Sequence, residues 1–230
     1  MDQFHSLWIG KKLGKTELLT LKSFQKFGHT IHLWTYSPIA NIPEGIVVED
    51  ANEIIPEKDV FSYEKNGNID WGKGSYAGFS DIFRYKLLFE KGGWWVDMDV
   101  TCLKPFEISE PYFFRNHWKL PVVGNIMKCP KGSELMQNCY ERARLEVTKD
   151  NTDWHKPITI LNEEIEKLGL MHYRKLGLFN LDMMHTIEPY LKNKYEFPTD
   201  WMGIHWINSA KLKSRRWSTY RDLLKQYNIR

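Results

Sequence analysis

Short apolar runs alternate with stretches of helical spacing through the first hundred residues, and this alternation limits the fold more than any other feature. FHSLWIG (4–10) reads as a strand ending at a glycine. Residues Lys15 to Phe27 place Leu18, Leu19, Leu21, Phe24 and Phe27 at helical intervals, and Gly28 stops the helix. TIHLWTY (30–36) is a second strand, with Ile31, Leu33 and Thr35 opposite His32, Trp34 and Tyr36. SPIANIPEG is a loop, and IVVEDANEII is a strand running into a short helix. Strand–helix–strand order of this kind predicts an α/β domain with a mostly parallel sheet flanked by helices.

The polar, glycine-rich stretch 66–76 reads as a loop. SDIFRYKLLFEKGG (80–93) follows as a helix, with Ser80 as N-cap, Ile82, Tyr85, Leu88 and Phe89 inward, and Gly92 closing it. Next comes GGWWVDMDV (92–100), a buried-looking strand with two carboxylates in it. Alternation puts Trp94, Val96, Met98 and Val100 on one face and Trp95, Asp97 and Asp99 on the other. On an extended strand the two carboxylates would stand about 7 Å apart. Unpaired charges are costly to bury, so a metal ion, a Lys or Arg, or water should meet them. Ligands of open α/β sheets bind beyond the carboxyl ends of the strands, where Trp8, Asp97 and Asp99 would face one crevice. A D-x-D at a strand end beside a stacking indole suits a nucleoside diphosphate. The ring takes the base, and a hard ion such as Mg²⁺ or Mn²⁺ joins carboxylate to phosphate.

The remaining composition narrows the function. Ten tryptophans are many for 230 residues, and indoles stack on sugars and bases as readily as they fill cores. A net charge of +3 does not imply nucleic acid. It is unevenly spread, with seven basic residues against the single acid Asp222 between Lys211 and Arg230. That basic, helical tail is set apart from a catalytic domain of residues 1–210. It reads as a solvated helix packed by its apolar side or as a contact for an anionic membrane, and a further expectation is that it closes over a bound ligand without adding to core stability. Cys102, Cys129 and Cys139, without CxxC spacing, suggest a reducing compartment and no zinc site. No secretory h-region or membrane span is visible, so a cytoplasmic protein, peripheral at most to the inner membrane face, is expected.

SDIFRYKLLFEKGGWWVDMDV resembles the S-D-x-x-R … G-G-x-Y-x-D-x-D signature of DXD glycosyltransferases, the family-32 sugar transferases and the glucosylating domains of large clostridial toxins. FHSLWIG is similar to the I-H-x-x-W-I-G start of the same proteins, and IHLWTY to their next strand. GNIMKCPKGSELM, KPITIL and GIHWINSAKLKSRRW resemble later blocks of the family more loosely.

The resemblance implies a GT-A fold, a nucleotide-sugar donor (UDP-sugar, with GDP-sugar possible), Mn²⁺ or Mg²⁺, and retention of configuration. It implies that Trp8 stacks on the base and that Asp81 and Arg84 bind the donor sugar. Asp97 contacts ribose and sugar hydroxyls, and Asp99, with Asp97 beside it, holds the metal. Trp95 stands where the family often has Tyr, and His205 gives a metal or diphosphate contact. Asn125 either faces the donor sugar or caps a strand. The acceptor would be a growing polysaccharide, a glycolipid or a protein. Two other readings of the carboxylates stand beside this one. A glycoside hydrolase could use Asp97 and Asp99, since its two carboxylates stand about 5–5.5 or 6.5–9.5 Å apart. A binding module would hold the nucleotide sugar without turning it over.

Overall fold

A computed structural model describes residues 3–66, 72–207 and 212–229; five residues of the 66–76 loop and the tail's Lys211 and Arg230 lie outside them. Seven strands form the main sheet in the order β3-β2-β1-β4-β7-β6-β8. They are β1 (Phe4–Trp8), β2 (Ile31–Thr35), β3 (Val47–Asp50), β4 (Gly93–Val96), β6 (Phe113–Arg115), β7 (Val123–Cys129) and β8 (Arg174–Lys175). Strands β3, β2, β1 and β4 are mutually parallel, β7 is antiparallel to both of its neighbours, and β8 is parallel to β6. Only β7 therefore opposes the common direction, as the strand–helix alternation predicts.

Helices cover both faces. On one lie α2 (Ala77–Lys91), α3 (Glu134–Glu146) and α4 (Lys156–Lys167), packing Phe79, Phe83, Leu88, Met136, Cys139, Ile160 and Leu161 against Trp95, Trp34 and Met127. On the other lies α1 (Lys15–Lys26), whose Leu21 and Phe24 share a cluster with Phe4, Leu33, Trp94 and Val96. Trp94 and Trp95 point to opposite faces and both are buried, which is why a strand with apolar residues on both sides is stable in a covered sheet. The two glycines before them are sterically required. Gly92 (φ 72°) turns the chain out of α2, where a Cβ would lie 2.5 Å from Lys131 N. At Gly93 (φ 86°) a Cβ would lie 2.6 Å from the Gln3 carbonyl, which accepts a hydrogen bond from Trp94 N–H.

Two expectations are corrected here. The helix begins at Ala77, three residues before the supposed cap Ser80, whose amide donates to the Tyr76 carbonyl. The strand also does not continue through the two aspartates. β4 ends at Val96 as Asp97 N–H donates to the Asn125 carbonyl, and a turn closes from Val100 N–H to the Asp97 carbonyl. The chain then enters β5 (Val100–Cys102), which pairs with β9 (Gly203–His205) in a separate two-stranded sheet with Val100 opposite His205. Asp97 and Asp99 thus flank a turn rather than share one extended face.

The tail is a further correction. Helix α6 (Thr219–Gln226) buries Tyr220 and Leu224, and Ile229 follows, against Leu19, Trp206 and residues of α5 (Met184–Lys192). Tyr220 Oη and Thr16 Oγ1 are 2.8 Å apart, and the Tyr220 ring meets Trp206 edge-on. The segment contributes to the core after all. Leu224→Ala should cost about 2–5 kcal/mol of unfolding free energy, read by urea denaturation; a loss under 0.5 kcal/mol would mean that α6 is only loosely held.

Candidate active site

A cavity of about 820 Å³ opens at the carboxyl ends of β1 and β4 and is lined by all seven residues singled out around the motif: Trp8, Asp81, Arg84, Trp95, Asp97, Asp99 and Asn125. His205 lines it as well. Parallel pairing of β1 with β4 sets Trp8 beside the aspartates. The Trp8 indole Nε1 is buried without a hydrogen-bond partner, a donor that a ligand could take up.

One wall is built on Arg84, which is 4% exposed. Its guanidinium lies 2.7 Å from Asp81 Oδ1, one helical turn back, and 2.8 Å from Asp97 Oδ1. It lies over the Trp95 ring at 5.0 Å, and Trp95 Nε1–H donates to Asp97 Oδ1 at 2.6 Å. Trp95 therefore orients Asp97, and its ring is occupied by Arg84 rather than free for a ligand. Burial is the main influence on both carboxyls. It raises Asp81 to about 6 against the opposing pull of Arg84, and it raises Asp97, with Asp99 adding to the rise. A glycine makes this wall possible: a Cβ at Gly124 would lie 2.3 Å from Arg84 Nη1. Gly124→Ala should displace the guanidinium and cost about 1–3 kcal/mol of stability. Differential scanning calorimetry checks this; an unchanged melting temperature would show that Arg84 has room to move.

The other wall is centred on His205. Its Nε2 lies 3.2 Å from Asp99 Oδ2 and its Nδ1 lies 2.5 Å from Asp182 Oδ1. Both nitrogens face carboxylates, so the ring is an imidazolium donating twice. Burial alone would lower its pKa, but Asp99 and Asp182 outweigh burial and raise it to about 10. Asp182 is desolvated too, yet Arg115 and His205 hold it near 2. Arg115 lies 3.1 Å from Asp182 Oδ1 and donates to Asn125 Oδ1 at 3.2 Å. A register shift between Phe114 and Arg115 interrupts the β6–β7 pairing just where this arginine turns into the site. Asn180 fixes the histidine backbone from both sides, accepting from His205 N–H at 2.8 Å and donating to the His205 carbonyl at 2.9 Å.

For Asn125, the bonds to Arg115 and Asp182 (3.4 Å) answer what it faces: the site, through its side chain. The sequence reading did not find Asp182, Arg115 or Asn180. Asp182 sits in an irregular stretch, NLDM, ahead of α5 and with no periodicity to mark it, whereas a buried arginine inside the apolar run FFR was a signal available for Arg115. His117, Trp118, Tyr76 and Trp154 at the rim were also missed.

Comparisons with known proteins bear on the motif and on the fold. Residues 39–118 match the family described as "Glycosyltransferase sugar-binding region containing DXD motif". The chain is 25% identical over 155 aligned residues to "Subversion of eukaryotic traffic protein A" of Legionella pneumophila, an alignment taking in 59% of this chain and 23% of the relative. The chain thus spans about a quarter of the length of that curated relative. Among solved structures, the PaToxG glycosyltransferase superposes with a TM-score of 0.50 at 12% identity, covering 73% of this chain and 68% of the other. The apo glycosyltransferase GlyE of Streptococcus pneumoniae superposes with a TM-score of 0.50 at 11% identity, covering 100% of this chain and 61% of the other. At such identities these two likenesses speak for the fold alone. The match and the superpositions converge: residues 39–118 are similar to a DXD glycosyltransferase sugar-binding region, and they are set in an α/β fold of the GT-A type with both aspartates in one cavity.

Proposed function

We propose that the protein transfers a sugar from a UDP-sugar to a hydroxyl acceptor with a divalent metal ion, Mn²⁺ or Mg²⁺, as cofactor. The observation that carries this reading is the meeting of Trp8, Asp97 and Asp99 in one cavity at the ends of parallel β1 and β4. Trp8 takes the base by stacking. Asp97, oriented by Arg84 and Trp95, accepts hydrogen bonds from ribose or sugar hydroxyls.

The residues fit a metal of the kind that nucleotide enzymes use. Mg²⁺-type ions take one or two carboxylates and complete their shell with water and substrate phosphates. Asp99 on the cavity wall can supply the carboxylate, with Asp97 next to it. Among the described residues no three His, Cys, Asp or Glu side chains are grouped for a metal, so an all-protein cage is not part of the proposal. An ion held there would supply Lewis-acid stabilisation of the charge on the departing diphosphate. His205, with both ring nitrogens turned to Asp99 and Asp182, has no lone pair for a metal, and it acts on the diphosphate through its positive charge.

Asp81 and Asp97 hold Arg84, and Asp99 and Asp182 hold His205, which makes each a poor nucleophile. Retention, which the family resemblance implies, would then proceed by attack of the acceptor oxygen on the face the diphosphate leaves. The sugar C1–O bond to phosphate breaks, the bond from C1 to the acceptor oxygen forms, and the acceptor proton passes to the departing phosphate. The same pairing argues against a glycoside hydrolase, which needs an acid and a base on either side of the scissile bond.

Calorimetry of UDP binding tests the reading. Affinity with Mn²⁺ should exceed that in EDTA at least about tenfold, or 1.4 kcal/mol. Equal affinities would remove the metal, and failure of every nucleotide sugar to be hydrolysed or transferred would leave only a binding module.

A further inference from the structure

A second concavity, of about 370 Å³, lies between the start of α1 and the outer side of the tail, away from the cavity that holds the two aspartates. Lys15, Arg216, Arg221 and Lys225 line it, over a floor of Leu224 and Ile229. No carboxylate is among the lining residues. The acids nearest to it are Asp222, already engaged by Lys194 at 2.7 Å and Lys225 at 3.3 Å, and the buried Glu17 in the first turn of α1, whose charge acts on Tyr220. Among the described residues, Lys15, Arg216 and Arg221 form no ion pair, and Arg221 Nε is buried without a hydrogen-bond partner. Gathering like charges around a concavity is unfavourable unless an anion completes it.

A neighbouring side chain indicates where that anion comes from. Trp217 is 66% exposed, although α6 leaves its own apolar face packed. The cationic groups of Lys194, Arg216 and Lys225 lie 5.6–5.9 Å from its ring. An exposed indole ringed by cations is the chemistry of a membrane interface, where the ring sits at headgroup level and the cations meet phosphate.

We propose that this pocket binds the phosphomonoester of an anionic lipid headgroup, and that Trp217 inserts beside it to hold the protein on a membrane surface. The folded tail supports this better than a disordered one would. Tyr220 and Leu224 pin α6 to α1, so Lys15 on α1 and Arg221 and Lys225 on α6 are presented from one packed frame rather than as a diffuse basic arm. A preorganised site of this kind should prefer a doubly charged phosphomonoester to the single charge of a phosphodiester lipid.

Vesicle flotation with the intact chain tests the proposal without any turnover measurement, so its outcome is independent of the proposed transferase activity. Vesicles of phosphatidylcholine alone, with phosphatidylserine, and with phosphatidylinositol phosphate at matched total charge are compared. Binding is expected with the phosphomonoester lipid and to exceed the phosphatidylserine case. Removing one charge in Lys15→Gln should weaken it about fivefold, and Arg216→Gln with Arg221→Gln at least about tenfold. Inorganic phosphate should bind the pocket weakly, and Trp217→Ala should weaken vesicle binding while leaving that phosphate binding unchanged. Lys15 lies on α1, so its variant keeps the test valid if the double tail variant does not fold. Equal binding to both charged vesicles would overturn the pocket. Phosphate binding without vesicle binding would overturn the lipid assignment, and wild-type affinity in Lys15→Gln together with the double variant would overturn both.

Discussion

Asp99→Asn is expected to lower sugar transfer at least about a hundredfold, the scale of losing a main electrostatic contact to the leaving group, while the unfolding midpoint stays within a few degrees. Asparagine keeps the shape of the side chain and can still accept from His205 through its amide oxygen. The histidine retains Asp182, 2.5 Å away, as its second partner. What disappears is the negative charge facing the cavity. Steady-state hydrolysis of the donor, run beside thermal melting, reads both quantities. Near-normal turnover would remove Asp99 from the site. Asp97→Asn should also lose activity but differs in stability, because Asp97 is one of the two carboxylates balancing a buried arginine. Losing one of two like charges should therefore leave the fold intact at Asp99 but not at Asp97.

Arg84→Met should be the most destabilising change in the site. As an isolated pair on one helix, Asp81 and Arg84 would be worth only a few tenths of a kcal/mol. Here the guanidinium joins Asp81 on α2 to Asp97 beyond β4, under cover of Trp95, and its side chain is 5% exposed. Removing it leaves two carboxylates facing each other in a desolvated wall. The expected loss is about 3–5 kcal/mol. For a chain of this size that is on the order of 10 °C in melting temperature. Adding Asp81→Asn and Asp97→Asn to Arg84→Met should restore much of the stability without restoring turnover. A loss below 0.5 kcal/mol would mean that water already screens the pair.

The elements of the fold could be read locally because their signals are local. Residues 15–27 and 132–147 carry helical periodicity, and Gly92–Gly93 marks the exit from α2 by a backbone conformation that side chains resist. One boundary was misread for the same reason. Ser80 is a good capping residue in isolation, but Ala77 to Phe79 are drawn into the helix because Phe79 packs in the core.

Local sequence pattern was enough to specify the α/β class, the position of the aspartates at the end of a strand and the residues that build one wall of the cavity. Asp81, Arg84, Trp95 and Asp97 lie within seventeen residues, where helix and strand periods dictate which side chains can meet. The opposite wall was decided only in three dimensions. Asp99 meets His205 because β5 leaves the main sheet and pairs with β9, about a hundred residues later in the chain. Asp182, Arg115 and Asn180 come from a coil and a short strand with no shared period. Their partnership rests on burial: each charge brought out of water must find its counter-charge wherever the packed chain places one. That requirement acts across space and leaves no spacing along the sequence to read.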